Sequence, residues 1–236
     1  MPRPHRSPTA KNDPRSQPAY TLAEGARYLK LPPATLRSWV AGRSLPSASG
    51  RTKHSPALIH PATYAPPVLS FWNLIEAHVL RALRIDHSVS LSSVRAAISF
   101  AEQTMGIEKL LLRKELRTHA GRVFLDRYGQ LTDLSASGQL AMRQMLVTHL
   151  QRVEWDRWKF PVRLFPFVSA DSSDAEPRIA IDPQIAFGRP IVQRVAVSTG
   201  AIAERIDAGE TVKAVAADYG LQPVEVEQAI LYERSA

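Results

Sequence analysis

The sequence of 236 residues contains no cysteine. This absence excludes a disulfide framework and any metal site built from thiolates, and it suits a reducing cytoplasm. Long hydrophobic runs are also missing, because no apolar stretch approaches the ~18–20 residues that cross a bilayer. No secretory hydrophobic region follows Met1 either. We therefore expect a soluble, cytoplasmic protein that does not enter a membrane.

Acidic residues are scarce in the first part of the chain. Residues 1–68 contain ten Lys and Arg but only Asp13 and Glu24 as acids, which gives this part a net charge of +8. The whole chain also carries +8, so the remaining residues are balanced. A basic field confined to one end of a chain is the electrostatic footprint of phosphate contacts. The N-terminal part is therefore predicted to bind nucleic acid.

Recognisable catalytic arrangements are absent as well. A nuclease needs converging carboxylates for Mg²⁺, and a hydrolase needs a nucleophile with its base. The sequence shows no such spacing, no His-x-x-x-His pair and no glycine-rich phosphate loop. Its histidines are scattered: His5, His54, His60, His78, His87, His119 and His149. We predict no catalytic residue, no metal and no cofactor, and a DNA-processing enzyme is the least favoured interpretation.

Two short helices, over residues 22–29 and 34–41, are predicted close to the start of the chain. Thr21 and Glu24 form a capping box that begins the first helix. Gly42 suits the end of the second helix. Two helices of this length, separated by a few residues and flanked by arginine, are typical of a helix-turn-helix DNA reader.

The second of these helices carries candidate DNA-reading residues. Its apolar residues at i, i+3 and i+4 should pack on the first helix: Leu36, Trp39 and Val40. The polar residues expected to point away, which are the candidate readers, are Thr35, Arg37, Ser38 and, just past the helix, Arg43. A plain helical hairpin with a solvated Arg37 is the alternative interpretation.

About 25 residues here resemble the start of MerR-type winged helix-turn-helix domains. The matching residues are Tyr20-Thr21-Leu22, Ala26, Thr35-Leu36-Arg37-Ser38-Trp39, Gly42 and Leu45-Pro46. The resemblance implies a basic β-hairpin, or wing, within residues 46–67, with Arg51 and Lys53 near its tip against the DNA backbone. This segment departs from the family because it is longer and richer in proline than a tight hairpin.

The segments on either side of this region complete the N-terminal half. Residues 1–19 contain five prolines and no large apolar residue beyond Met1, which predicts a disordered basic arm. Two helices over residues 71–85 and 91–105 follow the proline-rich segment. They complete a DNA-binding region over residues 20–106.

A central α+β segment is predicted over residues 107–168. It contains a β-hairpin at residues 121–133, a helix at residues 137–150 and a stretch of aromatic strands. Aromatic residues are enriched at the centres of protein interfaces. The candidate partner-binding anchors in this stretch, for which core packing is the alternative, are Trp155, Trp158, Phe160 and Phe165.

A polar, acidic linker over residues 169–177 precedes a C-terminal domain at residues 178–236, in which three short helices are predicted. This domain resembles the small domain of unknown function found in VapB-like antitoxins of bacterial toxin–antitoxin pairs. The matching residues are Ile181-Asp182-Pro183, Phe187-Gly188-Arg189-Pro190, Ala208-Gly209-Glu210, Val215-Ala216, Tyr219-Gly220-Leu221 and Ala229-Ile230-Leu231-Tyr232. The resemblance implies a self-pairing, helix-turn-helix-like fold and a PIN-like ribonuclease toxin as partner.

The charge of this C-terminal domain favours protein contacts over DNA contacts. Residues 171–236 contain six Lys and Arg against eleven Asp and Glu, a net charge of −5. Carboxylates facing phosphates would repel them. We therefore assign this domain to dimerisation or to partner contact.

Together these observations predict a mainly α-helical protein with small β elements. Its parts are an N-terminal winged helix-turn-helix, a central α+β segment and a C-terminal helix-turn-helix-like domain. The resemblances imply a DNA-binding antitoxin and autorepressor of a type II toxin–antitoxin pair. Such a protein would bind double-stranded operator DNA as a homodimer and neutralise a PIN-like toxin. A stand-alone MerR-like transcriptional regulator that senses a small ligand is the alternative.

Overall fold

The fold is mainly helical with small antiparallel sheets, which confirms the predicted fold class. The computed structural model describes residues 13–46, 52–84, 91–117, 119–132, 135–167 and 178–235. Those ranges contain nine α-helices. None of the helices in them is both long and apolar enough to cross a membrane.

The helix-turn-helix consists of α1 (Leu22–Tyr28) and α2 (Pro33–Ala41). The hydroxyl of Thr21 accepts a hydrogen bond from the amide of Glu24 at 3.2 Å, and the Glu24 carboxylate accepts one from the Thr21 amide at 2.9 Å. Gly42 follows α2 with a φ of 75°, a conformation that glycine adopts at little cost. Both predicted helices and the predicted capping box are therefore confirmed.

A two-stranded antiparallel hairpin follows α2, and it begins earlier than the wing predicted within residues 46–67, because its first strand starts at Arg43. Strand β2 (Arg43–Pro46) pairs with β3 (Thr52–Ser55), and its register places Leu45 opposite Lys53. The connection between the strands, which contains Arg51, lies outside the described residues. For Arg43 and Lys53 the structure describes the backbone alone.

A small sheet joins the helix-turn-helix to two longer helices. Its antiparallel strands, in spatial order, are β1 (Tyr20–Thr21), β5 (Pro67–Leu69) and β4 (Thr63–Tyr64). The helices that follow are α3 (Phe71–Arg84) and α4 (Leu91–Met105). The Ser70 hydroxyl accepts a hydrogen bond from the amide of Asn73 at 3.2 Å and caps the start of α3. One hydrophobic core runs from α1 through α4 into the central segment.

Part of the N-terminal arm is ordered, so the prediction of disorder over residues 1–19 is wrong for residues 13–19. Arg15 is only 9% exposed and forms ion pairs with Asp13 at 2.6 Å and with Asp156 at 2.8 Å. Its guanidinium also lies 5.5 Å from the ring centroid of Trp72. A buried arginine with two carboxylates and an aromatic face is stabilised without any large apolar residue nearby in sequence.

The β-hairpin predicted at residues 121–133 is wrong, because this segment forms helix α5 (His119–Thr132). Phe124 and Tyr128, one helical turn apart, are buried and stack with ring centroids 6.2 Å apart. Gly129 lies within this helix and allows close packing on the next helix. A Cβ at Gly129 would lie 2.6 Å from the side-chain carbon Cδ of Gln139. Tertiary packing has overridden the local turn signal.

The central segment continues with the predicted helix and then with strands in the aromatic stretch, where strands are predicted; their pairing as a hairpin was not predicted. Helix α6 (Ala136–Gln151) leads into strand β6 (Val153–Trp155), which pairs antiparallel with β7 (Pro161–Leu164). A backbone bridge between Leu164 and Ile181, with hydrogen bonds of 3.0 and 2.8 Å, then connects this hairpin to the C-terminal domain.

The C-terminal domain has its own small sheet and its own core, and its three predicted helices are confirmed. The strands are β8 (Ile179–Ala180), β9 (Ile191–Val192) and β10 (Val197–Ser198). The helices are α7 (Thr199–Asp207), α8 (Val212–Tyr219) and α9 (Pro223–Arg234). The core is formed by Val192, Ile202, Val215, Ala216, Leu221, Val226 and Ala229. The predicted linker at residues 169–177 lies outside the described residues.

The C-terminal domain packs directly against the helix-turn-helix. The hydroxyl of Tyr232 on α9 donates to the carbonyl of Tyr28, at the end of α1, at 2.9 Å. Lys30 donates to the Tyr232 carbonyl and lies over the Tyr232 ring, and burial lowers the pKa of the Lys30 ammonium to about 8. Arg27 pairs with Glu233 at 3.1 Å. These contacts, which join residues about 200 positions apart, fix the position of α9 relative to α1.

Candidate nucleic-acid interface

The buried side of α2 fixes this helix in the N-terminal core. Leu36, Trp39 and Val40 are buried, as their helical spacing predicts. The carbonyl of Trp39 accepts hydrogen bonds from the amides of Leu58 at 2.8 Å and Ile59 at 3.0 Å. The segment after the hairpin is therefore held against the C-terminal end of α2.

The position of Thr35 corrects one predicted reading residue. Only 6% of Thr35 is exposed, so the prediction that its side chain points away from the packed side is wrong. Its carbonyl accepts a hydrogen bond from the half-buried hydroxyl of Ser38 at 2.7 Å. Thr35 is adjacent to Leu36 on the helix, and the buried face of α2 is wide enough to include both residues.

The exposed side of α2 presents one arginine between two small residues. Ala34, Arg37 and Ala41 are exposed at i, i+3 and i+7, a spacing that places them on one face. Among the described residues, no hydrogen-bond or ion-pair partner of the Arg37 guanidinium is found. The face can therefore approach another surface closely and offer it an unoccupied guanidinium.

A largely apolar groove with a volume of about 630 Å³ runs beside this face. Arg37 and Ala41 line one side, and His60, Pro61 and Tyr64 line the other. Tyr64 is well exposed, and its hydroxyl lies 3.4 Å from Nδ1 of His60. These groove residues were not identified from the sequence, because tertiary contacts, among them the bonds between Trp39 and residues 58–59, bring their segment to α2.

The hairpin places its basic positions immediately after α2 in the chain. Gly42 alone separates α2 from β2, so Arg43 begins the first strand. Lys53 lies in the second strand, opposite Leu45. The chain therefore brings the backbone positions of Arg43 and Lys53 close to the end of the exposed helix face.

The four predicted partner-binding aromatics differ in exposure. Phe160 is buried and stacks on Trp72 with ring centroids 5.5 Å apart, so it is a core residue and its assignment as an anchor is wrong. Trp155 and Phe165 are half-buried. Trp158 is 39% exposed and lies 4.0 Å from the guanidinium of Arg157. Only Trp158 among the four is well exposed.

An exposed phenylalanine in the C-terminal domain was missed by sequence reasoning. Phe187 is 90% exposed and has a φ of 56°, in the left-handed region that non-glycine residues rarely occupy. Its neighbours Ala186 and Gly188 also have positive φ values, 48° and 73°. The sequence signal was present in the matched motif around Gly188, but exposure follows from a backbone turn that periodicity does not reveal.

In the part of the chain that is described, no group of three or more histidine, aspartate or glutamate residues could hold a metal ion. The exposed face of α2 offers hydrogen-bond donors, small apolar groups and positive charge, which suit the recognition of DNA.

Comparison with protein families gives two domain matches. Residues 18–98 match a family described as "Putative DNA-binding HTH domain". Residues 179–232 match a family described as "Protein of unknown function (DUF433)". The first match spans α1 through the first half of α4, and the second spans the C-terminal domain.

Relatives along nearly the whole chain come from Mycobacterium tuberculosis. A protein named "Putative antitoxin VapB45" is 28% identical over 232 residues, covering 90% of this chain and 92% of that protein. The "Uncharacterized protein Rv2308" is 28% identical over 230 residues, covering 91% and 90%.

A solved structure supports the fold. The crystal structure of Rv2018 from Mycobacterium tuberculosis matches with a TM-score of 0.65 and 24% identity, covering 90% of this chain and 97% of that one. This likeness concerns the fold alone. Taken with the exposed face of α2, the family match at residues 18–98 points to DNA binding.

Proposed function

We propose that the protein is a DNA-binding antitoxin that represses its own operon in the cytoplasm. The observation that carries the proposal is the exposed face of α2, on which Arg37 has no partner among the described residues. The match of residues 18–98 to a DNA-binding family supports the DNA half of the proposal. The relative named as an antitoxin supports the other half.

DNA recognition follows from the shape of this face. The major groove of B-DNA is about 12 Å wide and admits an α-helix. The small side chains of Ala34 and Ala41 let α2 approach the bases, and their methyl groups can contact thymine methyls. Arg37 would donate two hydrogen bonds to a guanine edge. Ser38 lies beside it, and Arg43, Arg51 and Lys53 on the hairpin would contact phosphates and set the register.

The toxin partner is a PIN-like ribonuclease, as the resemblance to VapB-like antitoxins implies. Repression by a toxin-bound antitoxin requires that the toxin and the DNA bind different surfaces. Trp158 and Phe187 offer exposed aromatic area outside the helix-turn-helix, and aromatic residues often dominate the energy of protein interfaces. We assign the toxin contact to these two residues.

Co-expression with the protein encoded beside this chain tests the antitoxin assignment. The full-length chain should retain that neighbour through purification and inhibit its cleavage of RNA. Changing both Trp158 and Phe187 to alanine should weaken retention by about tenfold or more, as loss of interface hot spots does. Operator binding should remain unchanged. Phe100→Ala, which removes a 42% exposed phenylalanine from α4, is the matched control.

Two outcomes separate the halves of this proposal. If no neighbouring protein is retained by the intact chain, the antitoxin assignment is wrong, whatever the DNA result. If the neighbour is retained equally by the parent and the double variant, the antitoxin assignment stands but the contact surface lies elsewhere.

The homodimer is proposed to form through the stripe of α9 that faces away from the helix-turn-helix. Val224, Glu227 and Leu231 are exposed at i, i+3 and i+7 and form this α9 stripe. The side of α9 that carries Tyr232 and Glu233 already contacts Tyr28 and Arg27 of α1. Two chains joined at the stripe would place their α2 helices on half-sites about 34 Å apart, or a multiple of that distance.

Leu231→Glu should weaken dimerisation by about tenfold or more, because it adds a carboxylate one turn from Glu227 in both copies. Sedimentation of parent and variant over the same concentration range measures the effect. Leu140→Glu on α6 is a matched control, since Leu140 is 57% exposed and Leu231 is 52% exposed. A dimer of undiminished stability in Leu231→Glu would place the interface elsewhere.

A further inference from the structure

A second cavity, of about 330 Å³, lies between α3, α4 and the segment that follows the hairpin. It shares Ala57 and His60 with the groove beside α2. Its size falls at the lower end of the range for small-molecule sites, roughly 300–1,000 Å³. The function proposed above leaves this cavity unused.

Two carboxylates and two cations line the cavity, and most of them are held in place. Glu76 on α3 accepts a hydrogen bond from the side-chain amide of Asn73 at 2.9 Å. Glu102 on α4 accepts one from the backbone amide of Leu110 at 2.8 Å. Arg95 on α4 donates to two backbone carbonyls of the segment after the hairpin. Lys109 adds a second, exposed cation.

The carboxylates keep oxygens for further bonds. The hydrogen bonds described above use Oε2 of Glu76 and Oε1 of Glu102, so the second oxygen of each carboxylate can accept a further bond. Burial raises the pKa of Glu76 to about 7, while its bond from Asn73 and the charge of Lys109 oppose that rise. A ligand cation beside Glu76 would therefore restore the ionised form at neutral pH.

We propose that this cavity binds a small zwitterion of the free α-amino-acid class. Its ammonium group would lie between Glu76 and Glu102, and its carboxylate would face Lys109. The cavity is lined by two acidic and two basic side chains, so their formal charges sum to zero. A ligand with a single charge would lie near side chains of the same sign, whereas a zwitterion can pair its ammonium with the acids and its carboxylate with a base. The apolar part of the lining, which suits an aliphatic side chain, is formed by Leu58, Ile98 and Leu111.

The cavity is connected to the DNA-reading helix through one shared wall. Leu58 lines the cavity, and its backbone amide donates to the carbonyl of Trp39 near the end of α2. A ligand against Leu58 therefore contacts a segment that positions α2. We expect occupancy of the cavity to change the affinity for operator DNA, and this expectation rests on the proposed function. The binding of the amino acid itself does not rest on the proposed function.

Calorimetric titration of the full-length chain, without DNA, tests the site. The free L-α-amino acids are titrated first. For each amino acid that binds, two analogues are then titrated: the amine that lacks its carboxylate and the carboxylic acid that lacks its amino group. One or a few aliphatic amino acids should bind, and each matched mono-ion should bind at least about tenfold more weakly. Glu76→Gln should weaken binding by a similar factor. Glu108→Gln, which changes an exposed acid outside the cavity, should leave it unchanged.

A second variant is needed in case Glu76→Gln does not fold. Ile98→Trp fills the cavity from α4 without removing a charge and should also abolish binding, and denaturant unfolding of each variant shows whether it is folded. Absence of binding by every amino acid at millimolar concentration would overturn the proposal. So would an amine that binds as well as its amino acid, or undiminished binding in folded Ile98→Trp. Binding that leaves operator affinity unchanged would overturn the coupling to α2.

Discussion

Gly188→Ala is expected to lower the free energy of unfolding of the whole protein strongly, because the new methyl group would clash with a buried side chain and the backbone conformation there disfavours any residue but glycine. A Cβ at this position would overlap the hydroxyl of Tyr20 and lie 2.9 Å from its ring carbon Cζ. Tyr20 is buried and cannot move aside freely. Overpacking of this kind costs about 1–3 kcal/mol. The φ of 73° adds about 1–2 kcal/mol for a residue with a side chain. Denaturant unfolding of the full chain measures the sum.

Two controls separate these costs. Gly209 has a φ of 95°, and a Cβ there would meet no atom within 4 Å, so Gly209→Ala carries the conformational cost alone. Tyr20→Phe removes the obstructing hydroxyl, which is buried and has no hydrogen-bond partner in the described part of the chain. This change should be nearly neutral alone and should partly rescue Gly188→Ala. If Gly188→Ala lowers the free energy of unfolding no more than Gly209→Ala does, Gly188 and Tyr20 are not in the close contact described here.

Trp39→Ala is expected to lower the free energy of unfolding of the DNA-binding region by about 3–5 kcal/mol. Trp39 is 1% exposed and is among the largest fully buried side chains. Removal of its side chain leaves a cavity beneath the exposed face of α2, while the backbone carbonyl that holds residues 58–59 is retained. Denaturant unfolding followed by circular dichroism measures the loss.

Trp158→Ala is the matched control for this prediction. Trp158 is 39% exposed and lies in the turn between β6 and β7, so its truncation should cost no more than about 1 kcal/mol. Equal losses in the two tryptophan variants would show that α2 is not packed on the core as described.

The elements that the sequence predicted well are those determined by neighbouring residues. The capping box of Thr21 and Glu24 and the glycine stop at Gly42 act within one or two turns of helix. Their signals therefore need no knowledge of the rest of the fold. The helices of the C-terminal domain are of the same kind, since Ser198 and Thr211 accept bonds from the first turns of α7 and α8.

The elements that could not be predicted depend on distant residues. The segment predicted to form a β-hairpin at residues 121–133 forms α5 instead, and this helix packs against α4 and α6. Arg15 is ordered by Asp156, 141 positions away. The contact of Tyr232 with Tyr28 spans 204 positions. No pattern of composition or period identifies such a pair in advance.

The candidate site shows the same division. Helical spacing assigned Leu36 and Trp39 to the core and left Arg37 outside it, as the structure has them. Spacing did not reveal that the buried face is wide enough to include Thr35. It also did not reveal the second wall of the groove, because Tyr64 reaches α2 through tertiary contacts alone.

The packing of the C-terminal domain changes how dimerisation can be tested. A chain shortened before residue 178 would lose the bonds of Tyr232 and Glu233 to α1 and leave the Tyr28 carbonyl without its partner. Loss of the dimer in such a chain could therefore reflect damage to the DNA-binding region. Point changes in the α9 stripe, such as Leu231→Glu, leave these bonds in place and are the sharper test.

The most direct test of whether α2 recognises DNA is to titrate the Arg37→Ala variant against operator DNA and scrambled DNA at two salt concentrations. If Arg37 contacts a base, the variant should lose about 1–3 kcal/mol on the operator and relax its preference at one position, with little change on scrambled DNA. Lys53→Ala on the hairpin should instead weaken both DNAs alike and lower the salt slope by about one. Arg143→Ala, an exposed arginine on α6, should change neither. A folded Arg37→Ala variant that binds both DNAs as the parent does would contradict the assignment of α2 as the reading helix.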